Sequence, residues 1–241
     1  LHLTILLENM RREGFELAVA KPRVVYRDIN GEKCEPYENL TVDVPDDNQG
    51  AVMEELGRRR GELTNMESDG HGRTRLEYHI PARGLIGFQS DFMTMTRGTG
   101  LMSHVFDDYA PVKPDMPGRH NGVLVSQEQG EAVAYALWNL EDRGRMFVSP
   151  GDKIYEGMII GIHSRDNDLV VNPLKGKKLT NVRASGTDEA VRLTTPVKLT
   201  LESAVEFIDD DELVEITPQS IRLRKRWLQE HERRKHFKKL D

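Results

Sequence analysis

The middle of the chain shows a regular succession of hydrophobic patterns. Leu40, Val42 and Val44 alternate with polar residues, as in a strand with one buried face. Apolar positions at helical spacing follow, and the two patterns then recur. The later elements are a helix to about residue 60, a hairpin of 63–66 and 74–80, a helix over about 85–95 and a strand over 101–109. This β-α-β-β-α-β order predicts a ferredoxin-like domain, the split β-α-β arrangement, over residues 35–112.

The start of the chain predicts elements that cannot bury a core by themselves. Apolar residues recur at helical spacing from Leu3 to Met10, and Gly14 is placed to end that helix. Residues 15–26 follow as an extended stretch. We therefore expect residues 1–34 to be the remnant of a preceding domain.

Residues 113–241 predict a second unit that is mostly β. A helix is expected at Gln127–Arg143, where alanine and leucine recur at i, i+4 spacing. Short apolar runs predict strands at 146–148, 154–162, 169–171, 182–184, 197–201 and 214–216. Thr217 and Pro218 then provide an N-cap and a first-turn proline for a C-terminal helix. The expected fold class is α+β: a ferredoxin-like domain followed by a mostly-β C-terminal domain with flanking helices.

Residues 81–112 contain three adjoining motifs. These are a PxRG turn, an RGTG turn and an HxFDxYxP strand, within the longer run GLIGFQSDFMTMTRGTG. They closely resemble the second half of domain V in translational GTPases, and are more similar to the BipA/TypA branch than to elongation factor G. The resemblance implies that residues 1–34 are the end of domain III, 35–112 are domain V and 113–241 are the family-specific C-terminal domain.

The resemblance also implies a function. The family is one of ribosome-associated GTPases linked to large-subunit assembly and to stress or cold adaptation. GTP and Mg would belong to an N-terminal domain of the parent protein, and this chain is expected to hold no cofactor. The sequence has no GxxxxGK[ST] phosphate loop. It also has no HExxH or GxSxG motif and no histidine pair at zinc-site spacing, so neither catalysis nor a metal site is predicted here.

The charges are strongly segregated near the end of the chain. The formal net charge is −6, which by itself argues against nucleic acid. Leu201–Ile216 contains seven acidic residues and no basic one, whereas Arg222–Lys239 contains nine basic residues against two acidic ones. Such segregation can create a local basic surface on an acidic protein. Alternatively, the two runs are solvated faces that pair with each other.

The remaining composition indicates the compartment. Cys34 is the only cysteine, so no disulfide partner exists within the chain, and a reducing compartment fits. No apolar stretch approaches the roughly 18 residues of a membrane span, and no export signal opens the chain. We therefore expect a cytoplasmic location and no membrane partner.

Two cationic segments are predicted to contact RNA phosphates, which supply most nucleic-acid affinity. One is a loop at Asn172–Gly186, in a stretch without acidic residues, and its NPLKGKKLTN run resembles the family loop expected near the aminoacyl end of transfer RNA and ribosomal RNA. The other is the terminal helix. The predicted RNA-binding residues are Lys175, Lys177, Lys178, Asn181 and Arg183 in the loop, and Arg222, Arg224, Lys225, Arg226, Arg233, Arg234 and Lys235 in the helix.

Weaker candidates lie beside the turns of the ferredoxin-like domain: Arg83, Arg97 and His104. The neighbouring Gly84, Gly98 and Gly100 are expected to form turns rather than to bind RNA. The expected partners are large-subunit ribosomal RNA and transfer RNA. Ordinary solvated charges remain an alternative for both segments. The alternative function is a protein–protein interaction module or regulator-binding platform. RNA binding should fall steeply with salt, and a hydrophobic interface should fall much less.

Overall fold

The computed structural model describes residues 2–114, 116, 118–176 and 192–237. It is an α+β structure that divides into two compact units. One unit is Pro22–Gly118, and the other combines Leu1–Lys21 with Arg119–Asp241. Within the described part of the chain, no helix is long and apolar enough to cross a membrane.

The elements are numbered in chain order. The helices are α1 (His2–Arg12), α2 (Asp46–Arg58), α3 (Phe88–Met95), α4 (Ala134–Glu141), α5 (Leu201–Phe207) and α6 (Glu230–Phe237). The strands are β1 (Leu17–Ala20), β2 (Arg27–Ile29), β3 (Glu32–Pro45), β4 (Glu62–Ser68), β5 (Arg73–Pro81), β6 (Leu101–Pro111), β7 (Val123–Ser126), β8 (Gly130–Glu131), β9 (Gly144–Met146), β10 (Lys153–Ile154), β11 (Met158–His163), β12 (Leu169–Val171), β13 (Glu212–Ile216) and β14 (Ile221–Lys225).

The unit of residues 22–118 has the predicted ferredoxin-like architecture. Its strands lie in the order β6-β3-β5-β4 with antiparallel neighbours, and β2 pairs with the start of β3. Helices α2 and α3 contribute Val52, Leu56, Phe88 and Phe92 to one core with the inward-facing strand residues. This arrangement confirms the split β-α-β prediction, because period-two and helical patterns alternate in the order that the fold requires.

The opposite face of this sheet is open, as antiparallel sheets allow. Thr41 and Asp43 on β3 and Glu77 on β5 are only half-buried. Edge strand β6 also has an irregular register, because Pro36 pairs with Tyr109 whereas Glu38 pairs with Phe106. Two residues of β6 therefore stand opposite one residue of β3, which is a β-bulge.

The glycines of the family motifs have structural roles. Gly98 has a φ of 77°, in the left-handed region that glycine adopts without strain, and its N–H bonds to Met93 O at the end of α3. A Cβ on Gly100 would lie 2.5 Å from the Phe92 ring, and one on Gly84 would lie 2.8 Å from Arg59 O. These contacts confirm that the three glycines shape the turns and the packing beside them.

The second unit is built on a mixed sheet in the order β1-β13-β14-β11-β7-β12, with β9 also paired to β11. Strand β12 runs parallel to β7, and the other described pairs are antiparallel. Both faces are covered. Val123, Val125 and Ile159 pack with residues of α1 and α5, whereas Leu124 and Ile160 pack with residues around α4. The central strands are accordingly almost continuous apolar runs.

Residues 1–21 pack differently from the expectation of a separate remnant. Strand β1 pairs with β13, with Leu17 opposite Ile216, and Leu7 of α1 lies in the core below that sheet. The helix and strand thus bury their apolar residues against residues that lie far along the sequence. The assignment of residues 1–34, 35–112 and 113–241 to family domains stays a prediction.

The predicted C-terminal helix from Thr217 is wrong for residues 217–226. Thr217 Oγ1 accepts a hydrogen bond from the Ser220 N–H at 3.0 Å, which closes a tight turn between β13 and β14. A threonine followed by proline begins a helix or such a turn equally well. Among the described residues after Thr217, only α6 at Glu230–Phe237 is helical.

Other predicted elements also differ from the structure. The single strand expected at 154–162 is divided into β10 and β11 by a turn. The helix expected at Gln127–Arg143 begins only at Ala134, because residues 130–131 pair with 153–154 as β8 and β10. The strand expected at 197–201 does not form, because residues 197–200 are irregular and α5 begins at Leu201, where Thr200 and Ser203 form a capping box. The strand predicted at 182–184 lies outside the described residues.

Candidate nucleic-acid interface

The first predicted RNA-binding segment leaves the second unit from a well-anchored position. The Val133 N–H donates to Pro173 O at 3.0 Å, and Asn172 Nδ2 donates to Glu128 Oε1 at 2.9 Å. Leu174 packs against the core cluster around α4. Lys175 is then exposed to solvent. The anchored stretch therefore ends in a cation that faces water.

The chain resumes at the same core cluster. Leu193 packs against it, and both the N–H and Oγ1 of Thr194 donate to Glu141 Oε1 at 2.6 Å. The Val197 N–H bonds to Met146 O at 2.8 Å. Both flanks of the cationic segment are thus fixed to one surface of this unit. Lys177, Lys178, Asn181 and Arg183 lie outside the described residues.

Lys225 lies on β14, in the interior of a charge cluster. Its Nζ is 2.5 Å from Asp168 Oδ2, 2.9 Å from Asp211 Oδ2 and 2.9 Å from Glu212 Oε1, and its side chain is 3% exposed. Burial by itself would lower the pKa of Lys225, but Glu212, Asp211 and Asp168 outweigh it and raise that pKa. The ammonium is therefore fully charged, already neutralised and screened from a phosphate.

Arg119, which sequence reasoning did not single out, completes this cluster. Its guanidinium makes two bonds to the fully buried Glu212, at 2.8 and 3.0 Å, and lies over the Phe207 ring at 4.4 Å from the centroid. Burial alone would raise the pKa of Glu212, but the bonds from Arg119 and the nearby Lys225 hold it below its usual value. In the sequence, this pairing is indicated only by the acidic run Leu201–Ile216 and the basic run Arg222–Lys239 that follows it.

The other basic residues of β14 and its flank differ in exposure. Arg224 Nε is 3.4 Å from Glu215 Oε1 in the neighbouring strand. Arg222 is half-buried beside a cavity of about 250 Å³ that also includes Arg11 and Ser220. Arg226 is exposed. This segment therefore offers Arg226 and part of Arg222 to a ligand, rather than a row of free cations.

Helix α6 is also divided between structural and exposed basic side chains. Arg233 is 6% exposed and donates to Leu228 O and, at 3.1 Å, to Trp227 O. Burial lowers the pKa of Arg233 from its ordinary value. Arg234 pairs with Glu230 one turn earlier, and Lys235 is exposed. Arg233 thus holds the chain that precedes the helix.

Of the weaker candidates in the ferredoxin-like unit, Arg97 and His104 are exposed and Arg83 is half-buried. Arg83 pairs with the fully buried Glu35 and donates to Lys113 O, so its guanidinium holds the chain after β6. His104 Nδ1 contacts Glu38. Arg97 lies at the surface of the RGTG turn with a φ of 51°, an unusual conformation for a residue with a side chain.

The predicted residues thus fall into two groups. The exposed ones within the described part of the chain are Lys175, Arg226, Arg234, Lys235, Arg97 and His104, with Arg222 and Arg224 half-buried. Lys225 and Arg83 instead hold the fold together through buried carboxylates, and Arg233 does so through backbone carbonyls. The sequence shows where basic residues concentrate, but only their neighbours in space show which of them can meet a phosphate.

Two family models match adjoining parts of this chain. The model described as Elongation factor G C-terminus matches residues 32–120, and the model described as TypA/BipA C-terminal domain matches residues 121–230. They correspond closely to the ferredoxin-like unit and to the later part of the second unit.

Curated relatives are similar over nearly the whole chain. Three proteins named Large ribosomal subunit assembly factor BipA match 98% of it: that of Escherichia coli K12 is 63% identical, that of Haemophilus influenzae 60% and that of Buchnera aphidicola 56%. The chain spans 39%, 38% and 39% of their respective lengths. A solved Thermus thermophilus protein is 28% identical with a TM-score of 0.33, and the match covers 34% of this chain and 12% of that protein.

Proposed function

Because this chain belongs to the BipA/TypA family, we propose that it acts in assembly of the large ribosomal subunit by docking on ribosomal RNA and transfer RNA. The observation that carries this proposal is the identity of 56–63%, over 98% of the chain, to proteins that bear the name of large-subunit assembly factor. The whole protein would be a translational GTPase that binds GTP and Mg, and this chain would contribute positioning rather than catalysis.

The cationic segment after β12 is the main proposed contact. Asn172 and Leu174 anchor its start and Thr194 anchors its end, so that both flanks hold it at one surface. Lys175 is already exposed at the first turn of the segment. Anchoring of the flanks lowers the entropy that is lost when a loop docks. The lysines and arginine would neutralise phosphates, whereas Asn181 would add a hydrogen bond.

Secondary contacts would come from the exposed or half-buried basic side chains outside this segment. They are Arg222, Arg224, Arg226, Arg234, Lys235, Arg97 and His104. Lys225, Arg233 and Arg83 are not part of the proposed interface. Lys225 and Arg83 are held by the buried Glu212 and Glu35, and the buried Arg233 is held by the backbone carbonyls of Trp227 and Leu228. Their substitution would alter the fold before it altered binding.

The test is co-sedimentation of the chain with large ribosomal subunits over a salt series. The variant carries Lys175→Ala, Lys177→Ala and Lys178→Ala. We expect weaker binding and a flatter dependence of log affinity on log salt, by roughly 0.7–0.9 for each phosphate that is no longer neutralised. Transfer RNA binding, measured separately by filter retention, should fall in the same variant.

A matched control removes three exposed cations from the same unit: Arg145→Ala, Lys153→Ala and Lys198→Ala. It changes net charge equally and should leave the salt slope close to that of the unaltered chain. Equal weakening in the two variants would mean that only net charge matters. Unchanged binding in both would place docking outside this segment.

A protein–protein role is the second candidate. Edge strand β6 exposes Leu101, Val105 and Phe106 at 67%, 69% and 56%. Exposed apolar residues on an edge strand are often covered by a partner. Binding through this strand would persist at salt concentrations that remove RNA binding, and Val105→Lys would abolish it.

A further inference from the structure

Three potential metal ligands meet on the open face of the ferredoxin-like sheet. His79 lies on β5, whereas Asp107 and Asp108 follow each other on β6. One ligand atom from each lies within 4.8 Å of the other two. The histidine spacing along the sequence gives no sign of this group, because its members come from different strands.

The β-bulge explains how consecutive residues of one strand can contribute together. Successive side chains normally point to opposite faces of a sheet. Here Asp107 and Asp108 stand together opposite Tyr37, between the pairs formed by Pro36 and Glu38. Such a bulge re-aims a side chain and often lies beside a functional site. Both carboxylates can consequently approach the same histidine.

His79 is oriented toward these carboxylates without hydrogen-bonding to them. Its ring stacks on Tyr37 with 4.7 Å between centroids, and its Nε2 lies 3.4 Å from Asp107 Oδ2 and 3.4 Å from Asp108 Oδ1. Nε2 is shielded from solvent and has no hydrogen-bond partner in the described residues. A buried polar atom without a partner is costly and calls for an explanation.

The distances match those across a coordination sphere. Two ligands that each lie about 2.0–2.1 Å from a tetrahedral zinc ion are about 3.3–3.4 Å apart. Two carboxylates would also balance the charge of a divalent cation. Imidazole favours zinc and its neighbours in the transition series over magnesium or calcium, which prefer ligand sets made entirely of oxygen.

We propose that His79, Asp107 and Asp108 form a binding site for a divalent transition metal of the zinc class. The ion would join β5 to edge strand β6 across β3 and would fix the bulge in place. Water would complete the coordination, since three protein ligands leave a tetrahedral ion one position short. The site is independent of the proposed RNA contacts.

The test uses the whole chain after treatment with a chelator. Titration calorimetry with zinc chloride should give one site per chain, and cobalt(II) should give visible absorption bands of a four- or five-coordinate complex. His79→Ala should weaken zinc binding at least about tenfold, because loss of even an outer-shell partner costs 10–100-fold. Asp107→Asn and Asp108→Asn should each weaken it as well. Zinc should raise the Tm of the unaltered chain, and it should raise that of the three ligand variants less or not at all.

His71→Ala is the matched control, because His71 is an exposed histidine in the hairpin between β4 and β5 of the same unit. It should bind zinc as tightly as the unaltered chain, and circular dichroism should show the same fold for every variant. Absence of zinc and cobalt binding up to about millimolar metal would overturn the proposal. Binding that survives His79→Ala, or that His71→Ala weakens equally, would overturn it too.

Discussion

At the scale of single residues, the second unit depends on charges that are buried together. Glu212 is fully buried, and it is held by Arg119 on one side and by Lys225 on the other. Asp211 and Asp168 share the Lys225 ammonium. Replacing such a cluster by apolar residues can be harmless, but removing one member leaves an uncompensated charge. In the sequence, nothing distinguishes the buried cations Lys225 and Arg119 from the exposed cations around them.

Lys225→Met should therefore destabilise the second unit strongly. The substitution keeps most of the length of the side chain but leaves buried carboxylates with one cation fewer. Breaking a buried pair in this way costs about 3–5 kcal/mol. Urea denaturation followed by circular dichroism would measure the decrease in the free energy of unfolding.

Arg226→Met is the companion variant, since Arg226 is the next residue and is exposed. Its effect should stay within about 0.5 kcal/mol, as for most surface substitutions. Equal stability of the two variants would mean that the cluster contributes no more than an ordinary surface charge.

At the scale of elements, the last turn of α2 is tied to the loop before α3 by one arginine. Arg59 donates to Glu55 Oε1 at 2.6 Å, Gly84 O at 2.8 Å, Ile86 O at 3.1 Å and Asp91 Oδ2 at 2.7 Å. Burial alone would raise the pKa of Glu55, but hydrogen bonds from Arg58 and Arg59 hold that pKa at about 2. The ionised carboxylate thus belongs to the folded state.

The stability of the ferredoxin-like unit should consequently depend on Glu55 at low pH. The folded-state pKa of about 2 lies below the usual value of 4.5. Between pH 2 and pH 4.5 the folded state therefore binds fewer protons than the unfolded state. The contribution is fully present above pH 4.5 and is lost as the pH falls toward 2. Denaturation curves of the unaltered chain and Glu55→Gln should converge over this range. Parallel curves would exclude the linkage.

Element prediction succeeded where a local pattern had only one structural meaning. The period-two and helical patterns of residues 35–112 led to the observed split β-α-β topology. It failed at Thr217, where the same side-chain bond serves a helix start and a hairpin turn. Ile221 and Leu223 alternate with Arg222 and Arg224, and this pattern does indicate β14.

The candidate site was predictable only in part, for a related reason. The sequence identifies a basic run. The partners of Lys225, however, are Glu212 at the start of β13 and Asp168, which is distant along the chain. Likewise, His79 meets Asp107 and Asp108 only because a bulge alters the register of β6. Neither relation is encoded in local spacing.

At the scale of the whole molecule, the second unit is assembled from two separate parts of the sequence. Leu7 of α1 is 5% exposed within its core, whereas the adjacent Leu6 is 55% exposed. Both are leucines of the same helix, so they form a matched pair. A substitution at the start of the chain should therefore change the stability of the structure formed by residues 119–241.

Leu7→Ala should cost about 2–5 kcal/mol, as for buried leucines in other proteins, whereas Leu6→Ala should have little effect. Native-state hydrogen exchange would locate the change. Protection should fall in β13 and β14 and remain unchanged in β3 and β5. An equal decrease of protection in both units would contradict the independence of their two cores.

The pairing of Leu17 with Ile216 has a consequence for synthesis of the protein. At translation rates of roughly 5–20 residues per second, about 200 residues separate the two strands by roughly 10–40 s. The ferredoxin-like unit can fold during that interval, since all of its strands emerge earlier. Strand β1 has no β13 to pair with during that interval. A nascent chain stalled before β13 would therefore expose the unpaired backbone groups of β1, to which chaperones could bind.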